Sequence, residues 1–175
     1  MKDAQMSETT VRPAQPADLA AVAAIYAHAV RKSVATFDVE EPPLAYWQAK
    51  LDSTAVGDHF LVAHSLGAPD QTEVLGFAYS GSFRHRPAYA RTRETSVYVA
   101  PAACGRGLGT RLYGALLDLL RQDPVHLAVA VVAQPNPASN GLHRKLGFTE
   151  VGTLDEVGFK FGSYVSTTWW QLRLT

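Results

Sequence analysis

The chain has 175 residues, 47% hydrophobic and 18% charged, which suits one domain large enough to bury its own core. Its 16 acidic and 16 basic residues balance, so no net field draws it onto nucleic acid or an anionic membrane. A single cysteine, Cys104, excludes an internal disulfide and a cysteine-based zinc site, and points to a reducing cytoplasm and to a protein without a bound metal.

Met1 to Thr9 is polar, carries no feature of a signal peptide, and reads as a disordered tail ahead of one domain over residues 10–175. No apolar run approaches the roughly 20 residues of a membrane span. A short strand is expected around Thr10 to Arg12. Pro16 and Asp18 then open a helix whose Leu19, Val22, Ile25, Tyr26, Ala29 and Val30 recur at helical spacing. Ala35 to Pro43 has no period and ends in a proline pair, which leaves Phe37 on a loop before a second short helix marked by Leu44, Trp47 and Leu51. Strands follow at His59 to His64 and Val74 to Ser82, joined by the turn Gly67-Ala-Pro-Asp70.

Ser82 to Arg93 is polar and irregular, and leads into a strand over Glu94 to Ala100. Leu108, Leu112, Ala115, Leu116, Leu119 and Leu120 mark a long amphipathic helix. Val125 to Ala133 is a continuous apolar run, expected as a strand buried on both faces near the sheet centre. Asn136 to Phe148 reads as a turn, a short helix and a Gly147 cap, followed by a strand over Thr149 to Leu154. A loop with Gly158 and Gly162 then precedes a last strand, Tyr164 to Leu174. This order of strands and helices predicts an α/β (α+β) fold without repeats.

The junction Glu94-Thr-Ser-Val-Tyr-Val-Ala-Pro-Ala-Ala-Cys-Gly-Arg-Gly-Leu-Gly-Thr110 runs from a strand through a glycine-rich turn into a helix. Gly105, Gly107 and Gly109 let the backbone approach an anion, and the helix start offers free N–H groups and a positive dipole end. A nucleotide-triphosphate loop needs Gly-Lys-Ser or Gly-Lys-Thr, and Gly109 is followed by Thr110-Arg111. The dinucleotide fingerprint needs glycine at 110 or 112, where Thr110 and Leu112 stand, and the next strand ends in Gln134-Pro135 without the ribose-binding acid.

These residues resemble the GNAT superfamily of N-acetyltransferases from Val11 to Leu174. Gly105-Arg-Gly-Leu-Gly109 is similar to its pyrophosphate loop, and Asn136, Ser139, His143 and Leu146-Gly-Phe148 to its second coenzyme A segment. Six blocks narrow the resemblance to phosphinothricin and methionine sulfoximine acetyltransferases: Tyr26-Ala-His-Ala-Val30, Ala35-Thr-Phe-Asp38, Gly76-Phe-Ala-Tyr79, Arg86-Pro-Ala-Tyr89, Glu94-Thr-Ser-Val-Tyr-Val99 and Gly158-Phe-Lys-Phe-Gly162. The resemblance implies a GNAT fold with a mixed central sheet of about six to seven strands flanked by about four helices. It also implies acetyl-CoA as co-substrate, a small amino acid as acceptor, and a homodimer.

An amine attacks a thioester only as the free base, so a base is needed, and Glu94 is the candidate. Strand alternation puts Glu94, Ser96 and Tyr98 on one face. The resemblance implies that Val97, Tyr98 and Val99 present backbone groups to pantetheine and the acetyl carbonyl, stabilising the oxyanion that forms there. It further implies that the N–H groups of Gly105, Arg106, Gly107, Leu108, Gly109 and Thr110 hold the pyrophosphate, with Asn136 and Ser139 completing the coenzyme site. His143 stands where many members have a tyrosine that protonates the leaving thiolate, and is expected to act as acid or as second base. Arg86 and Tyr89 match positions that grip the substrate carboxylate, Arg84 assists them, and Phe37 walls the amino-acid pocket. Lys160, with Tyr164, falls on a loop that in relatives approaches the neighbouring subunit's site.

Taken alone, a strand glutamate is a solvated face, a helix histidine a packed residue, and the arginines of the 84–93 segment an ordinary loop or a phosphate-binding patch. Two departures stand out. Cys104 occupies a position where Arg or Gln is usual, and Val165 and Ser166 replace a His-Asp pair, which opens the site to a different small amine. The alternatives are an acyl-coenzyme A sensor without catalysis and an acetyltransferase for protein amines.

Overall fold

The computed structural model describes residues 9–66 and 72–175. The turn at 67–70 and the expected tail over residues 1–8 lie outside the described residues, while Thr9 already belongs to the first strand.

Seven strands form one sheet in the order β1-β2-β3-β4-β5-β7-β6. They are β1 (Thr9–Pro13), β2 (Phe60–Leu66), β3 (Thr72–Ser82), β4 (Thr92–Val99), β5 (Leu127–Ala133), β6 (Thr149–Lys160) and β7 (Ser163–Arg173). Helices α1 (Leu19–Lys32), α2 (Leu44–Leu51), α3 (Leu108–Gln122) and α4 (Pro137–Lys145) flank it. This mixed α/β architecture agrees with the fold expected above.

Each face of the sheet has its own core. On one, the 3.6-residue stripe of α1 brings Val22 and Tyr26 onto Phe60, Val62 and Phe77, with Trp47 of α2 fully buried among them. Trp47 meets Tyr26 edge-on at 5.0 Å and Phe77 at 5.4 Å, so truncating it to alanine would remove about 3–5 kcal/mol. On the other face, Leu112, Leu116 and Leu120 of α3 recur every four residues and close over Ala128, Ala130 and Trp170.

One element differs from the sequence expectation. The segment containing Gly158 was expected to be a loop, but β6 continues to Lys160, so Lys160 is a strand residue. The register shifts between Glu150 and Gly152 and again between Leu154 and Gly158. The chain there is extended and bulged, with Gly152 at φ 156 and Glu156 at φ 51, and glycine serves the bulge and a close approach at Gly158.

Candidate active site

β4 and β5 are parallel neighbours only over three residue pairs, Thr92–Leu127, Arg93–Ala128 and Glu94–Val129. Beyond Glu94 the strands part, because β5 keeps its full register with β7 while β4 keeps its own with β3. The Thr95 hydroxyl marks the fork, lying 3.1 Å from the Val129 carbonyl and 2.7 Å from the Tyr113 hydroxyl. The Ala100 N–H donates to Leu75 of β3 at 2.8 Å. By alternation Tyr98 and Ser96 also face β3, whereas the N–H and C=O groups of Val97 and Val99 open into the fork without a strand partner. A groove of about 360 Å³ occupies it, lined by Thr95 to Val99, Ala130 to Ala133, Cys104, Gly109 and Ser139 among others.

At the groove's end the glycine turn is built as expected. Gly105 and Gly107 sit at φ 79 and 74, the left-handed region, and a Cβ at either would meet nothing within 4 Å, so conformation and not space demands glycine. Among the described residues no side chain caps α3, and the first bond inside it runs from the Arg111 N–H to the Gly107 carbonyl at 3.2 Å. The preceding N–H groups are left to an anion. These observations fit the diphosphate and pantetheine of coenzyme A, and Cys104 borders the groove without obstructing it.

Asn136 caps α4, its Oδ1 accepting from the Ser139 N–H at 3.0 Å. That places Ser139 and His143, one helical turn apart, along the groove. His143 is buried, stacked on Trp170 at 5.8 Å. Its Nδ1 lies 2.7 Å from the Ser139 carbonyl, which can only accept, so Nδ1 carries the proton and Nε2 faces the Tyr113 hydroxyl at 3.2 Å. Burial pushes the His143 pKa down, opposed by the Ser139 carbonyl. The imidazole is therefore neutral near pH 7.

Glu94 lies on the opposite face. It pairs in register with Gly81 on β3, where an added Cβ would meet nothing within 4 Å, so open space adjoins the carboxylate. Burial pushes its pKa up, with Arg84 and Lys50 pulling it back. Glu94 and His143 make no hydrogen bond to each other, and they flank the fork from its two sides. Lys50 was not singled out by the sequence. Its Nζ sits 4.0 Å over the Tyr79 ring and 5.0 Å from that of Tyr46, and burial lowers its pKa. Its only sequence signal was its place one turn past Tyr46 and Trp47 on α2. Tyr113 and Thr95, which join His143 to the fork, were also missed.

The remaining expected residues separate. The Tyr98 side chain stacks on Phe77 at 5.2 Å and meets Tyr26 at 5.0 Å, so it packs into the core where the residue borders the groove. Arg84 lies 5.1 Å from the Phe83 ring, and Tyr89 meets Phe83 edge-on at 5.6 Å. The Arg86 side chain is exposed and makes no hydrogen bond or ion pair among the described residues. Phe37 lies on the loop between α1 and α2, its ring so close to Gly158 that a Cβ there would stand 2.3 Å from it. Lys160 is buried and donates to the Thr36 carbonyl of its own chain at 2.7 Å, bolting that loop to the end of β6.

Residues 22–148 match the Acetyltransferase (GNAT) family. The chain belongs to that family. It is an acetyl-CoA-dependent N-acetyltransferase. It is 42% identical to the phosphinothricin N-acetyltransferase of Streptomyces coelicolor, over 96% of this chain and 98% of that one. It is 39% identical to the L-methionine sulfoximine/L-methionine sulfone acetyltransferase of Pseudomonas paraeruginosa, over 94% of each. The phosphinothricin acetyltransferase of Sinorhizobium meliloti in complex with acetyl-CoA superposes with a TM-score of 0.87 at 32% identity, covering 94% of this chain and 88% of that one.

Proposed function

We propose that this N-acetyltransferase acts on the α-amine of a small amino acid analogue of the phosphinothricin, methionine sulfoximine or methionine sulfone type. The observation that carries the reading is the fork. One strand, β4, offers the unpartnered backbone of Val97 and Val99 on the coenzyme side and, at its root, a desolvated carboxylate beside open space on the other. The names of the relatives support this acceptor class.

Glu94 takes the proton of the acceptor ammonium directly or through one water, and its raised pKa brings its basicity closer to that of the amine. The Val97 and Val99 N–H groups face where the thioester oxygen gains charge, and as fixed donors they need no reorganisation when it does. His143, neutral and held by Ser139, presents its acceptor nitrogen to Tyr113, whose hydroxyl reaches Thr95 at the fork. With an acceptor nitrogen at its far end, that chain can carry a proton from the fork to His143, the role of a second base. Arg84, near Glu94 by its electrostatic effect, and the free Arg86 guanidinium receive the substrate carboxylate.

Two copies pair through the β6–β7 hairpin, where Val151, Leu154, Val157, Phe159, Phe161 and Tyr164 are all exposed. Light scattering checks this pairing. The enzyme works in the cytoplasm, where its lone Cys104 stays reduced. Among the described residues no helix is long and apolar enough to cross a membrane.

The decisive assay follows thiol release from acetyl-CoA across phosphinothricin, methionine sulfoximine, methionine sulfone and free amino acids. Turnover should be fastest with one of the three analogues. Tight coenzyme binding with no turnover on any amine would overturn the reading.

A further inference from the structure

Three buried polar atoms on β7 have no hydrogen-bond partner among the described residues: Thr167 Oγ1 and Trp169 Nε1 on one face of the strand and Trp170 Nε1 on the other. An orphaned indole alone means little here, since Trp47 and Trp170 share that condition inside the two cores. Thr167 is different, because a hydroxyl in a residue only 4% exposed is costly to leave unpaired. What matters is where the pair sits. Glu94 is in register with Val129 and Val129 with Gln171, so Gln171 shares the face of Glu94. The β5–β7 register is unbroken, and alternation carries that face along β7 through Trp169, Thr167 and Val165.

Both ends of this row meet residues expected to bind the acceptor. Gly158 is directly opposite Val165, and the Phe37 ring presses on Gly158 from the same side. Trp169 meets Phe83 edge-on at 6.4 Å, and Phe83 in turn meets Tyr89. Thr167 and Trp169 therefore form the floor between the Phe37 wall and the Phe83–Tyr89 wall, on the Glu94 side of the sheet.

We propose that the Thr167 hydroxyl and the Trp169 indole N–H bind the oxygen-bearing end of the acceptor's side chain, and so select amino acids ending in a sulfone, sulfoximine or phosphinate over thioether or hydrocarbon analogues. The indole can only donate and the hydroxyl is free to donate, so the complementary group is an acceptor. Alternate strand residues stand about 7 Å apart, which suits a group presenting more than one oxygen. A thioether would leave both donors unpaired, and sites built to hydrogen-bond a group discriminate strongly against ligands lacking it. This inference rests on the acceptor class given under Proposed function.

The test compares methionine sulfone with methionine, by kcat/KM and by calorimetric Kd in the presence of coenzyme A, for the wild type and for Thr167→Val and Trp169→Phe. The sulfone preference of the wild type should fall about tenfold in Thr167→Val, in both kcat/KM and Kd, with Tm unchanged or higher because an orphaned hydroxyl has gone. Trp169→Phe should lower the same ratio. An unaltered ratio in both variants overturns the inference and leaves the acetyltransferase reading standing. A sulfone preference in Kd that the variants lose, with no turnover on either amine, would support the inference while sinking the acceptor class as a substrate.

Discussion

The two sides of the β4–β5 fork are built from different materials. The coenzyme side is made of backbone: the Val97 and Val99 peptide groups, two left-handed glycines and the open start of α3. The side proposed for the acceptor is made of side chains brought from far apart in the chain: Phe37, Lys50, Arg84, Glu94 and Lys160. A backbone site tolerates changes of side chain and holds an unvarying ligand. A side-chain site can be retuned residue by residue, which suits the half of the reaction that must choose its substrate.

The largest expected effect tests the residue that both sides need. Glu94→Gln should lower kcat about 100-fold near neutral pH and steepen its rise with pH, as the amine must then lose its proton to solvent. An unchanged pH–rate profile would remove Glu94 from the chemistry. Next, Gly107→Val forces a β-branched residue to φ 74 and should raise the acetyl-CoA KM about tenfold while sparing the acceptor KM. If the acceptor KM rises equally, the two sides are not separable in the way described.

Lys160→Met removes the donor that fixes the Thr36 carbonyl and thereby Phe37, so the acceptor KM should rise about fivefold with acetyl-CoA KM unaffected. The smallest effect belongs to Lys50→Met, and it is read on pH. Burial holds the Glu94 carboxyl above the usual carboxylate range, and the base works only when ionised, so kcat/KM is full above that raised pKa and is lost as pH falls through it. Lys50 opposes the rise. Removing its charge should move the acid limb to higher pH by about half a unit to one unit, with the alkaline plateau unmoved.

The strand, glycine turn and helix cap on the side proposed for the coenzyme were legible in the sequence because their determinants are local. The glycines at 105, 107 and 109, the Asn136 cap and the alternation of β4 are each decided within a few residues. On the side proposed for the acceptor, the sequence reached only residues that the family resemblance named. Lys50 meets Tyr79 across the α2–β3 packing, and Lys160 meets Thr36 across a separation of 124 residues, which no local period encodes. The same limit explains β6. Gly158 reads as a loop residue locally, but it is glycine because Phe37 occupies the space a Cβ would take. The relay from His143 to Thr95 was invisible since Tyr113 reads as one more apolar position on the α3 stripe.

The fork has a consequence for deuterium exchange. A strand fourth of seven in a sheet would ordinarily carry the slowest amides in the molecule. Beyond Glu94, however, every second amide of β4 faces an opening that no strand fills. Val97 and Val99 should trade their hydrogens almost as readily as a surface loop, while Tyr98 between them stays locked to β3. Addition of acetyl-CoA would then silence two isolated amides in the middle of the sheet, the coenzyme acting as an eighth strand.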